Sequence, residues 1–428
     1  MFRISAEGKT EDKAVTVKKF VARQPVFDRN QKIFGYELLF RSGLENYFRA
    51  EHPDQASSSV IADSFLLFGV KSLTQERKAF INFTRKLLIS QCATLLPREQ
   101  AIIEILEDVH PDDQVIAACQ ALKWRGYVIA LDDFVFGEKL EPLIALADII
   151  KVDFLATPPL VRKLLVRNFA HRGIKMLAEK VETHAQFHEA VELGYKYFQG
   201  FFFSKPEIVS RSDVPAYKQH YLLLLQAVNQ PEPDFIKLEQ VIKRETSLCY
   251  KLLRYLNSPS FAFSTEISSI RHAISLIGLE EVRKWTNLLV LAGMGEDKPP
   301  ALVLTSLVRA KFCEDLAPAL GLANRAMDLF LMGLLSTLDA IVERPMAEIL
   351  SELTISRDIK AALLQARGQN RFRDIYELVL AYERGNWEGF SRLAAAMRAN
   401  EDRIAEAYLA AVKWSQDILE TDRVASSA

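Results

Sequence analysis

From about residue 18 the chain alternates short apolar runs with helix-length amphipathic stretches, and this rhythm stops near residue 210. The first two runs, KKFVARQPVFD (18–28) and IFGYELLFR (33–41), are joined only by the turn DRNQK. A parallel crossover needs a dozen residues or more, so this pair is predicted to be antiparallel. A helical stretch over 57–70 follows. Then come AFINFT (79–84), AIIEILED (101–108), YVIALDDF (127–134), ADIIKVDF (147–154), IKMLAEKVET (174–183) and YKYFQGFFF (195–203). Amphipathic stretches such as 110–125, 159–168 and 184–192 lie between them. Unbroken apolar runs read as strands covered on both faces, and helix-length connections imply a parallel sheet. Eight such strands in so short a span predict a compact (β/α)8 barrel with an antiparallel first strand.

Beyond residue 213 apolar residues recur at three- and four-residue spacing instead. Helices are predicted over 216–229, 235–244, 247–256, 270–277, 280–292, 302–320, 327–342, 346–354, 358–364, 375–384, 387–398 and 401–419. The fold class is therefore α/β plus all-α, with a tail over 1–17, a TIM-like barrel over 18–210 and a helical domain over 211–428.

Composition narrows the partners more than the fold. Hydrophobic content of 49% and charged content of 25% are those of a globular protein, and a net charge of -1 gives no reason to expect nucleic acid or an anionic membrane. The N-terminus lacks the apolar core of a signal peptide. The longest apolar run, near 329–335, is soon broken by Ser336, Thr337 and Asp339, so no membrane insertion is expected. Cys92, Cys119, Cys249 and Cys313 have neither zinc-knuckle nor disulfide-framework spacing. A cytoplasmic location is the simplest expectation.

The candidate chemistry sits where the strands end. Near successive exits stand Glu37, Asn82, Glu104, Asp132 with Asp133, Lys151, Glu179 with Glu182, and Gln199. Singly, each has an ordinary explanation: Asp132 and Asp133 as helix caps, Glu37 or Glu104 as ion-pair partners, Asn82 as a turn residue. In a barrel, however, all of these ends meet at one mouth. Oxygen donors without histidine or cysteine suit hard cations such as Mg²⁺, Mn²⁺ or Ca²⁺. Several carboxylates in one mouth repel each other unless cations neutralise them, and a pair of such cations is what in-line phosphodiester hydrolysis uses.

These residues resemble, in order over about 20–206, the EAL family of cyclic di-GMP phosphodiesterases. Gln24-Pro25 is similar to the family's opening Gln-Pro, and Glu37-Leu38-Leu39 stands at the naming Glu-Ala-Leu. Asn82, the Glu104-x-x-Glu107 pair, Asp132-Asp133-Phe134, Lys151-x-Asp153, Glu179, Glu182 and Gln199-Gly200 continue the series. The resemblance implies that Glu37, Asn82, Glu104 and Asp132 hold one Mg²⁺ or Mn²⁺, with Asp133 bridging to or holding a second and Glu179 completing the shell. It implies catalytic roles for Glu37, Lys151 and Glu179, and substrate contacts from Gln24, Arg41, Asp153 and Gln199. Glu107 would steady the loop after Asp133. The implied activity is conversion of cyclic di-GMP to pGpG, with a possible homodimer through the barrel.

The sequence departs from that pattern at Leu38, Leu106, Val135 and Lys180, the last two replacing glycines. The donor residues are kept while the loop behind Asp133 is rebuilt. Two readings stay open: a hydrolase, or a cyclic di-GMP receptor or scaffold that does not turn over. A third is a hydrolase for another phosphodiester. In the second half, LLRYLNSPSF (252–261) and ISSIRHAISLIGLEEVRKW (267–285) resemble the HDOD domain, a relative of HD-type phosphohydrolases. Ser336 and Thr337 replace its relatives' metal-binding His-Asp, and no histidine follows His272. This half is expected to be a non-catalytic module for an unknown protein partner.

Overall fold

The computed structural model describes residues 20–41, 71–132, 140–204, 215–230, 275–366 and 370–426. The predicted tail, the predicted helices over 57–70, 235–244 and 247–256, most of 270–277, and Asp133 with the loop behind it lie outside the described residues.

Eight strands close into a barrel in sequence order: β1 Val21–Asp28, β2 Ile33–Phe40, β3 Lys78–Phe83, β4 Ala101–Ile105, β5 Val128–Leu131, β6 Ile149–Asp153, β7 Lys175–Glu179 and β8 Tyr197–Gln199. Strand β1 runs antiparallel to β2 and to β8, as the short turn requires, and the other neighbours pair in parallel. Asp28 makes that turn: its Oδ1 accepts the backbone N–H groups of Asn30 (2.8 Å) and Lys32 (2.9 Å).

The barrel interior has an apolar plug of Val26, Phe80, Ile102, Ala130, Ile149 and Leu177. Side chains on one face of a strand recur every second residue. Two positions beyond five of these plug residues therefore stand Asn82, Glu104, Asp132, Lys151 and Glu179. On antiparallel β1 the matching position lies before Val26, at Gln24. The pleat thus lifts a polar layer directly onto the plug. Residues of opposite parity, among them Ile103, Ile129, Ile150 and Met176, join the main core outside the barrel. Helices on that side start at real caps. Asp112 Oδ1 accepts the Val115 N–H (3.0 Å) ahead of helix Asp113–Trp124, and Thr183 with Gln186 forms a capping box ahead of His184–Leu193.

The second half is helical. Helix Pro300–Ala319 is buried on nearly every face and packs among Ala326–Leu335, Arg371–Glu383 and the last helix, Glu401–Ser426. The single helix predicted over 327–342 is instead two, Ala326–Leu335 and Leu338–Val342. A tight bond from the Ser336 N–H to the Gly333 carbonyl (3.2 Å) ends the first. The hydroxyls there turn to helix Pro300–Ala319: Thr337 bonds Ser306, and Ser336 accepts from Arg309 (3.2 Å). Arg309 is in turn ion-paired with Glu383 (2.9 Å). At Ser336 and Thr337 this half thus presents hydroxyls bonded to a neighbouring helix, beside a satisfied ion pair. Among the described residues no helix is long and apolar enough to cross a membrane.

The two halves touch along the first two strands and just beyond β8. Tyr382 Oη donates to the Val21 carbonyl (3.4 Å), Phe20 meets Phe390 at 6.2 Å between ring centroids, and Arg384 lies 4.9 Å from the centre of the Phe201 ring.

Candidate active site

The polar layer is built around Lys151, which is only 1% exposed. Its Nζ donates to Glu104 in a short contact and lies 2.8 Å from Glu179, 2.9 Å from Asp132 and 3.4 Å from Glu37. Gln199 Nε2 donates to Glu37 Oε2 (2.6 Å) and to Gln24 Oε1 (2.9 Å). Six sequence-predicted residues, Gln24, Glu37, Glu104, Asp132, Glu179 and Gln199, thus form one connected network with Lys151. Asn82 pairs with Glu104 across the β3–β4 register.

Among the described residues no three carboxylate, cysteine or histidine side chains are grouped as a cation site, and the Lys151 ammonium sits among the carboxylates. The donor set nevertheless fits a hard cation. Asn82 Oδ1, Glu104 Oε2, Glu179 Oε2 and Gln199 Oε1 are all buried without a hydrogen-bond partner. Buried acceptors left unsatisfied are costly, and four oxygens around one mouth are what a divalent cation satisfies.

The charges are out of balance without one. Burial, reinforced by Glu37, raises the Glu104 carboxyl well above its usual range. Burial likewise pushes Glu179 up to about 8, although Lys151 pulls the other way. Burial works against the Lys151 charge, but Glu104, Glu179, Glu37 and Asp132 outweigh it and hold its pKa well above the ordinary value. In the cation-free protein the folded state therefore keeps a proton on Glu179 that the unfolded chain releases near 4.5. This contribution to stability is full below that pH and is lost as pH rises through about 8. The melting temperature of chelated protein should therefore fall between about pH 5 and pH 8, and saturating Mn²⁺ should restore it most at the upper end. A calorimetric profile that is flat without cation would contradict this.

Other expected residues are placed differently. Asp153 Oδ1 accepts the N–H groups of Leu155 (2.7 Å) and Ala156 (2.9 Å), and its Oδ2 accepts from Lys180 (2.5 Å). It braces the turn after β6. Lys180 has φ 52°, which explains why a glycine suits that position; here the ion pair to Asp153 holds the strained residue. Glu107 and Glu182 are exposed, and the loop that Glu107 was expected to steady lies outside the described residues. Arg41 points to the helical half and pairs with Glu401 (2.5 Å). No local pattern around either residue signals that contact.

Gln199 is positioned by its neighbour. Gly200 has φ +145°, and a Cβ there would lie 2.0 Å from the Val181 carbonyl oxygen. The strands are this close because the Val181 N–H donates to the Gln199 carbonyl (2.9 Å) and the Phe202 N–H to the Val181 carbonyl (3.1 Å). Gly200→Ala should cost about 2 kcal/mol in chemical denaturation and dislodge Gln199. Unchanged stability would show that the close approach relaxes freely.

The sequence profile of the EAL domain matches residues 18–206, and that of the HDOD domain matches 214–358. The cyclic di-GMP phosphodiesterase CdgJ of Vibrio cholerae is 34% identical over 402 residues, 93% of each chain. The chain belongs to the EAL–HDOD family. The uncharacterized protein YuxH of Bacillus subtilis is similar over the same extent, 35% identical across 94% of this EAL–HDOD protein and 100% of that one. Among solved structures, the calcium and cyclic di-GMP complex of Klebsiella pneumoniae BlrP1 is 25% identical with a TM-score of 0.35, covering 44% of this chain and 56% of that one. Within the family frame, Lys151 and its carboxylates lie in the EAL barrel, while the helices from Arg371 onward lie beyond the HDOD match.

Proposed function

We propose that the EAL barrel is a divalent-cation-dependent phosphodiesterase that opens cyclic di-GMP to pGpG, coupled to a non-catalytic HDOD half. The observation that carries this reading is the set of four buried, unpartnered oxygens, two of them on Glu104 and Glu179, in a barrel mouth that gathers four carboxylates. Glu37, Asn82, Glu104 and Asp132 would hold one Mg²⁺ or Mn²⁺, and Asp133 with Glu179 would serve a second. Such cations lower the pKa of a bound water and neutralise phosphate charge. The chain's own part is positional. Lys151 donates to the attacking water and orients it, and Glu179 accepts the proton that the water loses. The water oxygen bonds to one phosphorus, the P–O3′ bond breaks, and the leaving oxygen takes up a proton to give the linear dinucleotide. Gln199 fixes Glu37 and Gln24, so that both amides meet the substrate in a set orientation.

A barrel-mediated homodimer fits the exposed Leu155, Leu160, Val161 and Leu164, which lie on or beside helix Pro159–Phe169. The HDOD half is assigned a protein partner. Binding without turnover is the second reading, and Val135 in place of a loop glycine favours it. Calorimetric titration with cyclic di-GMP beside a turnover assay in Mn²⁺ separates the two. Accumulating pGpG supports hydrolysis. Tight binding with no pGpG at high protein supports the receptor, and no binding at all removes both.

A further inference from the structure

Arg41 stands just past the end of β2, at the open end of the barrel. Glu37 and Leu39 alternate onto one face of the strand, and Arg41 follows two residues on, at the rim beyond Glu37. Its guanidinium is taken up by the helical half. Nη1 donates to Glu401 Oε2 (2.5 Å), Nη2 donates to Ser391 Oγ (2.6 Å), and the group lies 4.8 Å and 5.8 Å from the ring centres of Phe20 and Phe390. The ion-paired side chains are 27% and 26% exposed, so solvent screens them only in part. Beside them, Gly385 (φ +65°) comes so near Leu39 that a Cβ would lie 2.8 Å from Leu39 Cδ1. The turn that carries Gly385 therefore rests on the strand that carries Glu37. Two other cations at the mouth, Lys151 and Lys180, are paired within the barrel, whereas Arg41 is paired across to the last helix. Ser391 and Glu401 both lie beyond the HDOD match.

We propose that Glu401 and Ser391 are an internal latch: they occupy the anion position of Arg41, so the C-terminal helices and a nucleotide phosphate compete for one guanidinium. This rests on the cyclic di-GMP reading given above. A carboxylate and a hydroxyl present to the guanidinium two acceptors of the kind a phosphate offers. Withdrawal of the C-terminal helices frees Arg41 for the ligand, and by linkage the bound ligand loosens those helices. A partner that binds the helical half away from the barrel would thereby raise nucleotide affinity.

The test uses the full chain and cyclic di-GMP titrated calorimetrically in Ca²⁺. Glu401→Gln keeps the shape of the side chain and removes its charge, and should lower Kd roughly five-fold. Ser391→Ala should lower it about two-fold, and covers the case in which the first variant misfolds. Glu406→Gln, an exposed position further along the same helix, should leave Kd unchanged. In the wild-type chain, saturating cyclic di-GMP should speed amide hydrogen exchange around 391–405, which a merely structural ion pair would not do. Equal Kd for wild type, Glu401→Gln and Ser391→Ala overturns the latch and leaves the nucleotide reading intact. No binding by any of the proteins overturns the nucleotide reading, and the latch with it.

Discussion

Replacing Glu37 with alanine is expected to lower cyclic di-GMP turnover about a thousand-fold, equivalent to about 4 kcal/mol of lost transition-state stabilisation. Glu37 is buried at the centre of the network, accepting from Gln199 (2.6 Å) and facing Lys151 (3.4 Å). Its removal takes away a cation donor and releases Gln199 at the same time. The fold should survive, because the loss of one carboxylate relieves repulsion in an over-charged mouth. Steady-state formation of pGpG in Mn²⁺, measured beside a thermal melt, separates the two effects. Activity within ten-fold of wild type, with an unchanged melt, would remove Glu37 from the machinery.

The second large effect concerns Lys151. Lys151→Met keeps most of the volume of a side chain that is 1% exposed and deletes the one ammonium among Glu37, Glu104, Asp132 and Glu179. Removing one partner of a buried ion pair strands the other, at a cost of about 3–5 kcal/mol. Chelated Lys151→Met protein should therefore unfold at lower urea than wild type. Mn²⁺ should recover much of the difference, because a cation supplies the missing positive charge. Turnover should stay low even in Mn²⁺, since the donor that orients the water is gone. Equal urea midpoints for the chelated proteins would mean that the carboxylates simply protonate, and that Lys151 carries no structural charge.

Much of the barrel was legible because its determinants are local. The turn at Asp28 forces β1 and β2 antiparallel, and apolar runs at helix-length spacing supply the rest of the cylinder. The polar layer follows from counting: each of Asn82, Glu104, Asp132, Lys151 and Glu179 lies two residues past an apolar plug position, on the same face of its strand. What the residue pattern leaves open depends on pairs far apart in sequence. Arg41 and Glu401 are separated by 360 residues, and nothing near either announces the other. Asp153 carries the same charge as the mouth carboxylates but is drawn to Lys180 and two backbone N–H groups. The break at Ser336 and Thr337 falls inside a continuous apolar stripe. Its side-chain partners, Ser306 and Arg309, lie on a different helix.

The most direct measurement is the position of Mn²⁺ in crystals of the full-length protein, read from its anomalous scattering. The expected result is a peak within roughly 2 to 2.6 Å of oxygens from Glu37, Asn82, Glu104 and Asp132, with the Lys151 ammonium moved off the point where the carboxylates now meet. A barrel mouth that stays free of Mn²⁺ at saturating concentration, with Lys151 still seated among all four carboxylates, would contradict a cation-dependent site.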